Sequence, residues 1–163
     1  MSIIYRMGDL LAEGNNIHYI CHQVNCQGKM GSGIAKQIRA KYPIVYEKYK
    51  KEIEDNGAQA VYGTILPIDV DGCTCIVNMF SQFNYGYDGK RYTSYDAFWN
   101  CLNELKELVD IEAFPQVKAI GFPKGIGCGL GGANWAVIHK MIETVFSNPK
   151  YCVYIYDNLG GTI

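Results

Sequence analysis

A three-layer α/β/α sandwich around a mixed, largely parallel sheet is the fold class this sequence predicts, on three observations. Short buried apolar segments alternate with helical patterns along the whole chain. Two glycine-rich loops each follow a predicted strand and precede a predicted helix, as loops do at the carboxyl ends of strands in open α/β sheets. The 163 residues, 48% hydrophobic and 19% charged, suit one domain that buries its core without disulfides or metals. No internal repeat, linker or low-complexity stretch interrupts them, so residues 1–163 read as a single domain.

Ser2–Arg6 reads as a short strand. Asp9 then stands where it can cap a short helix at Leu10–Glu13. Ile17–Val24 (IHYICHQV) is a buried strand, its length and its β-branched and aromatic content arguing against a helix. The glycine-rich stretch NCQGKMGSG follows, and a helix begins near Ser32, with Ile34, Ile38 and Tyr42 recurring on one face. Pro43 ends or kinks that helix, and Ile44–Asp55 continues with helical spacing to the stop signal Asn56-Gly57. Val61–Pro67 and Cys75–Phe80 are strands joined by the turn formers Asp69-Val70-Asp71-Gly72. A polar loop, SQFNYGYDGKRYTS, runs from Ser81 to Ser94. Ser94 can cap the next helix, whose apolar stripe is Tyr95, Phe98, Leu102, Leu105 and Leu108. Val117–Phe122 is another buried strand and enters the second glycine loop, PKGIGCGLGG (Pro123–Gly132). A helix over Asn134–Phe146 and a strand over Tyr151–Tyr156 follow.

Composition removes several function classes. The formal net charge is −1 with acids and bases mixed along the chain, which disfavours duplex nucleic acid as a ligand. The basic run Lys36–Lys51 reads as a solvated helix face. Seven scattered cysteines without CxxC spacing indicate reduced thiols and neither a zinc site nor a disulfide framework. No apolar run approaches the ~18 residues of a membrane span, and no signal-peptide h-region opens the chain. The expectation is a cytoplasmic protein with no metal and no other cofactor.

The chemistry is expected in the loops. Glycine lets main chain approach a phosphate closely, and a helix N-terminus behind it adds unpaired N–H donors and partial positive charge. The first loop lacks GxGxxG spacing, and neither loop carries GxxxxGK[ST]. Each glycine loop by itself serves either a turn or a ligand. Together with Tyr85, Tyr87, Lys90 and Arg91 of the Ser81–Ser94 loop, they converge on one sheet edge and point to a phosphate-containing nucleotide.

In order along the chain, G-D-L at Gly8–Leu10, the strand ending V-N-C, G-K-M-G-S-G-I-A at Gly28–Ala35 and G-I-G-C-G-L-G-G at Gly125–Gly132 resemble a macro domain. The likeness spans essentially the whole chain. H-x-x-N-C and G-C-G are similar to the branch that includes terminal ADP-ribose glycohydrolase and the yeast ADP-ribose-1″-phosphate phosphatase. The resemblance implies that Asp9, with Leu10, receives the adenine. It implies that Gly28, Met30, Gly31, Ser32, Gly33 and Ile34 hold the diphosphate and distal ribose together with Pro123, Gly125, Ile126, Gly127, Cys128 and Gly129. Asn25 would sit near the distal ribose hydroxyls, and Tyr156 or another aromatic would cover the adenine. The glycohydrolase's lysine has no counterpart in Asn78–Phe83, and Gly131 stands where its aspartate would follow G-C-G-L. A lysyl intermediate is therefore not expected.

His22 and Asn25 are then the catalytic candidates. His22 matches the phosphatase branch, and histidine can act as nucleophile or general acid/base near neutral pH. Its alternation with His18 and Ile20 equally fits a buried structural histidine. Two functions stay open. One is metal-independent hydrolysis of a group on the distal ribose of an ADP-ribose derivative, either an ADP-ribosyl hydrolase or an ADP-ribose-1″-phosphate phosphatase. The other is a module that reads or sequesters ADP-ribose without turnover. The expected partner is ADP-ribose or a derivative, free or attached to a macromolecule. Nucleic acid enters only as an ADP-ribosylated substrate, and no membrane is involved.

Overall fold

The computed structural model describes residues 3–112 and 118–158. Six strands form one sheet: β1 (Ile3–Met7), β2 (Tyr19–Asn25), β3 (Ile65–Asp69), β4 (Cys75–Gln82), β5 (Ala119–Pro123) and β6 (Cys152–Asp157). Their order is β1-β6-β5-β2-β4-β3. Every neighbouring pair is parallel except β3 with β4, so the expected mixed, largely parallel sandwich is the fold.

The helices are α1 (Gly33–Lys41), α2 (Pro43–Asn56), α3 (Ala58–Val61), α4 (Tyr95–Glu112) and α5 (Trp135–Val145). They divide between two apolar cores. Alternation along β2 and β4 sends Tyr19, Cys21, Val77 and Met79 to one face, where Phe98, Leu102 and Leu105 of α4 and Ile138 and Ile142 of α5 cover them. Ile20, Val24, Ile76 and Phe80 point the other way, under Ile38 of α1 and Val45 and Tyr49 of α2. Both faces are covered, as a parallel sheet requires.

Local chemistry sets the boundaries. Tyr42 is at once the C-cap of α1 and the N-cap of α2, with Pro43 at the first position of the second helix, where its missing N–H costs nothing. Ser94 accepts the Ala97 N–H through its hydroxyl at 3.1 Å and starts α4 as expected. The hairpin between β3 and β4 closes on Asp71, whose carboxylate takes the amides of Cys73 and Thr74.

The main differences from expectation lie at three elements. The strand expected over Val61–Pro67 begins at Ile65, because Gly57 and Gly63 at positive φ enclose a helical turn that Val61 ends. Leu10–Glu13 is a turn rather than a helix: the Ala12 amide bonds back to the Asp9 carbonyl, and nothing continues it. The strand expected over Val117–Phe122 is Ala119–Pro123; Val117, like Ser2, lies outside the described residues. Among the described residues no helix is long and apolar enough to cross a membrane.

β2 and β5 are central neighbours, yet the chain leaves β2 for α1 on one face and β5 for α5 on the other. That reversal opens a crevice at the carboxyl ends of the two strands, the place where ligands bind in open α/β sheets. Both glycine loops start there.

Candidate functional site

The crevice has two adjoining compartments. The inner one, about 590 Å³ of open space, is lined by Gln23, Asn25, Gly31, Ser32 and Gln82 and by Ile126, Gly127, Gly129, Leu130 and Gly131 of the second glycine loop. The outer one, about 800 Å³, is lined by Asp9, Leu10, Trp135, Tyr156 and Asp157, with Gly125 and Lys124. Ile34 and Pro123 line both and form the sill between them.

The first loop is built for exposed main chain. Ser32 is the N-cap of α1 in extended conformation, and its hydroxyl makes no capping bond. The first helical bond runs from the Lys36 amide to the Ser32 carbonyl at 3.2 Å, so the amides before it are the helix's unpaired donors. They face a compartment whose lining, among the described residues, has Lys29 as its one ionisable side chain. Donors, a helix N-terminus and a lysine without a carboxylate are the chemistry an anion calls for.

Asn25 is committed to the loop as much as to the compartment. Its Oδ1 accepts from the amides of Gln27 and Lys29 and from the Tyr49 hydroxyl at 2.9 Å. Its Nδ2 donates to the Lys29 carbonyl at 2.8 Å. One amide hydrogen is left for a ligand. Gly28 and Met30 support the loop from behind: the Gly28 carbonyl accepts from Tyr46, and Met30 is buried in the α1/α2 core. Gly33 opens α1 at positive φ.

The second loop is held by the segment before α4. The amides of Tyr92 and Thr93 both donate to the Gly131 carbonyl, and the Thr93 hydroxyl donates to the Gly127 carbonyl at 2.8 Å. With these carbonyls turned outward, the amides of Gly127, Gly129, Leu130 and Gly131 have no protein acceptor among the described residues. Cys128 does not line the compartment. Its thiol donates to the Ile126 carbonyl, and desolvation pushes its pKa up to about 11, so it is a protonated packing group.

In the outer compartment one oxygen of Asp9 accepts the Leu11 amide at 2.9 Å, and the other makes no hydrogen bond among the described residues. Tyr156 is 7% exposed and forms wall rather than lid. A second aromatic lines the same compartment: Trp135, the first residue of α5, packs edge-on against His139, which in turn stacks on Tyr5. Lys124 and Asp157 pair at 3.4 Å on the rim.

His22 is not brought to the crevice. Strand alternation turns it to the α1/α2 face, where it is 0% exposed. Its Nε2 donates to Asn78 Oδ1 at 2.6 Å, while Asn78 Nδ2 donates to the Leu66 carbonyl. This assigns the Nε2–H tautomer and leaves Nδ1 without a partner. Burial lowers its pKa to about 4, against the opposing Asn78 bond. It is a neutral histidine out of reach of a ligand.

Sequence reasoning missed Gln23, Gln82, Lys29 and Trp135. Gln23 is the centre of a polar cluster with Gln82, Thr93 and Ser81, yet a lone glutamine in an apolar strand carries no motif. Its one signal was position: the last inward residue before the V-N-C stretch, on the face opposite His22. Among the described residues no three His, Cys, Asp or Glu side chains gather where a metal could be held.

A family model described as the Macro domain matches residues 21–142. The uncharacterized 17.5 kDa protein in the tk-vs intergenic region of Enterobacteria phage T4 is 29% identical over 98% of this chain and 99% of its own length. The DNA ADP-ribosyl glycohydrolase of Mycobacterium tuberculosis is 25% identical over 98% of this chain, which spans 43% of that relative. The ADP-ribose 1″-phosphate phosphatase of Saccharomyces cerevisiae is 22% identical over 94% of the chain and 98% of its own length. Among solved structures, a Bacteroides thetaiotaomicron protein of unknown function superposes with a TM-score of 0.84 at 26% identity, covering 96% of this chain and 98% of that one. Thermosipho africanus DarTG, in complex with ADP-ribose, superposes with a TM-score of 0.71 at 18% identity, covering 91% and 40%.

Proposed function

The chain belongs to the macro domain family, its relatives there including ADP-ribosyl glycohydrolases and ADP-ribose 1″-phosphate phosphatases, and from that premise we propose that its crevice binds an ADP-ribose derivative and hydrolyses the group on the distal ribose. The observation that carries the reading is the pair of glycine loops whose free amides line one anion-compatible compartment beside a second, aromatic-walled one. The adenine enters between Tyr156 and Trp135 with its amino group on the free oxygen of Asp9. The diphosphate crosses the sill at Ile34 and Pro123, on amides of the 31–35 and 125–131 segments. The distal ribose reaches Asn25 and Gln82.

With His22 buried, the water is oriented by main-chain amides and by the ligand's own phosphate, so rate enhancement comes from positioning and oxyanion stabilisation. Tyr85 and Tyr87, both exposed, stand in the loop that follows Gln82 of the inner compartment. The glycohydrolase and phosphatase relatives support turnover, and the DarTG complex supports the ligand. One observation favours a non-catalytic reader instead: among the described residues, the inner lining offers no carboxylate and no histidine.

Titration calorimetry should give heat with ADP-ribose and weaker heat with AMP. Asp9→Ala should weaken both by about tenfold, the worth of one charge-assisted hydrogen bond. No heat with ADP-ribose would remove the ligand assignment. A turnover panel of ADP-ribose-1″-phosphate, ADP-ribosylated protein and ADP-ribosylated DNA decides between hydrolase and reader: no product from any of the three selects the reader. The cytoplasm, where such substrates and reduced thiols coexist, is the proposed compartment.

A further inference from the structure

Gln23 sits in the middle of a hydrogen-bond chain whose direction is fixed at both ends. At one end the Asn84 carbonyl, which can only accept, takes the Gln82 amide at 2.9 Å. Gln82 Oε1 must therefore accept, and Gln23 Nε2 donates to it at 2.6 Å. The other hydrogen of the same Gln23 nitrogen goes to the Thr93 hydroxyl oxygen at 2.8 Å, so the hydroxyl proton is left for the Gly127 carbonyl at 2.8 Å. Ser81 Oγ completes the cluster by donating to Gln23 Oε1 at 2.6 Å. Every polar group has one orientation, and none titrates.

A slip in register builds this cluster. β2 and β4 pair residue for residue as far as Val24↔Phe80 and then jump to Asn25↔Gln82. The skipped Ser81 and the displaced Gln82 both come within reach of Gln23. The second glycine loop closes on the cluster. A Cβ at Gly127 would stand 3.0 Å from Gln23 Oε1, and one at Gly131 would stand 2.5 Å from Thr93 Oγ1 and 2.8 Å from Gln23 Nε2.

The Gly127 carbonyl also accepts the Ala133 amide, so it is held from two sides and turned out of the inner compartment. A carbonyl swung inward would present its negative end to an anion. We infer that Gln23 is a positioning residue of the inner compartment, acting through Thr93 on the Gly127 carbonyl to keep the amides of the second glycine loop presented to a bound diphosphate and its ribose. This rests on the ADP-ribose reading for the ligand and on hydrogen bonds within the protein for the device.

Thr93→Val removes the hydroxyl at constant shape, Gln23→Met removes the hub, and Thr93→Ser keeps the hydroxyl. Affinity for ADP-ribose should fall about five- to tenfold in Thr93→Val and Gln23→Met, the range of one or two net hydrogen bonds, and stay within about twofold in Thr93→Ser. AMP, held mainly by the outer compartment, should bind all three like wild type. In the unliganded proteins, amide hydrogen exchange of residues 125–131 should quicken in Thr93→Val and Gln23→Met and not in Thr93→Ser. Equal losses of AMP and ADP-ribose would make the cluster merely structural and overturn the inference, as would unchanged exchange and affinity. Should wild type bind no ADP-ribose, the function reading falls, and the exchange measurement alone still decides whether Gln23 and Thr93 order the loop.

Discussion

At the scale of the residue, His22 is the clearest case of a group whose sequence context and surroundings disagree. Three positions before Asn25 it looks like chemistry; in the fold it is a buried neutral donor to Asn78 with an orphaned Nδ1. Its pKa of about 4 in the folded chain, against about 6.5 for an exposed histidine, has a signed consequence. Between those values the unfolded chain binds the extra proton, so stability falls as pH drops. The full effect is about 3 kcal/mol. Urea unfolding at pH 7 and at pH 4 should show wild type losing about that much more than His22→Gln. Equal losses in the two proteins would mean that the ring is solvated. Asn25 shows the complementary case: four hydrogen bonds bind it to its own loop or to Tyr49, so its replacement disorders the loop before it removes a ligand contact.

At the scale of the element, the second glycine loop is the sharpest structural demand in the chain. An alanine at Gly131 would force its Cβ against Thr93 Oγ1 and the Gly127 carbonyl, both within 2.6 Å. Gly131→Ala should cost about 1–3 kcal/mol, readable as a lowered urea midpoint at unchanged slope; an unshifted midpoint would show that the loop gives way freely. The same closeness explains why this chain has no room for an aspartate after G-C-G-L.

Elements of this kind were legible to different degrees. Apolar alternation and cap residues located five of the six strands and the long helices within a few residues, since burial enforces the pattern. β3 was misplaced because Val61 is apolar whether it ends a helical turn or starts a strand, and only Gly57 and Gly63 at positive φ decide it. The glycine loops announced the crevice. The Gln23 cluster did not, because it depends on a register slip between β2 and β4 that no single segment encodes.

At the scale of the whole molecule, the reversal between β2 and β5 divides the crevice into two compartments that different parts of one ligand should report separately. The two tryptophans make this measurable. Trp135 lines the outer compartment, whereas Trp99 lies in the exposed groove between α4 and α5 with Val137 and Met141. AMP and ADP-ribose should each quench the Trp135 emission, ribose-5-phosphate should not, and Trp135→Phe should abolish the response with Trp99 intact. Quenching that survives Trp135→Phe would put the adenine elsewhere.

The parallel pairing of the first strand with the last also fixes where the backbone leaves the sheet. Ile3 lies beside Val153 at the bottom of the strands, while Met7 and Asp157 lie side by side at the top. Asn158, immediately after β6, already lines the outer compartment. A bulky reporter carried on Asn158 would stand in the doorway that the ligand uses, whereas one carried on Ile3 would stand at the opposite end of the sheet. A label attached at Ile3 leaves that doorway open.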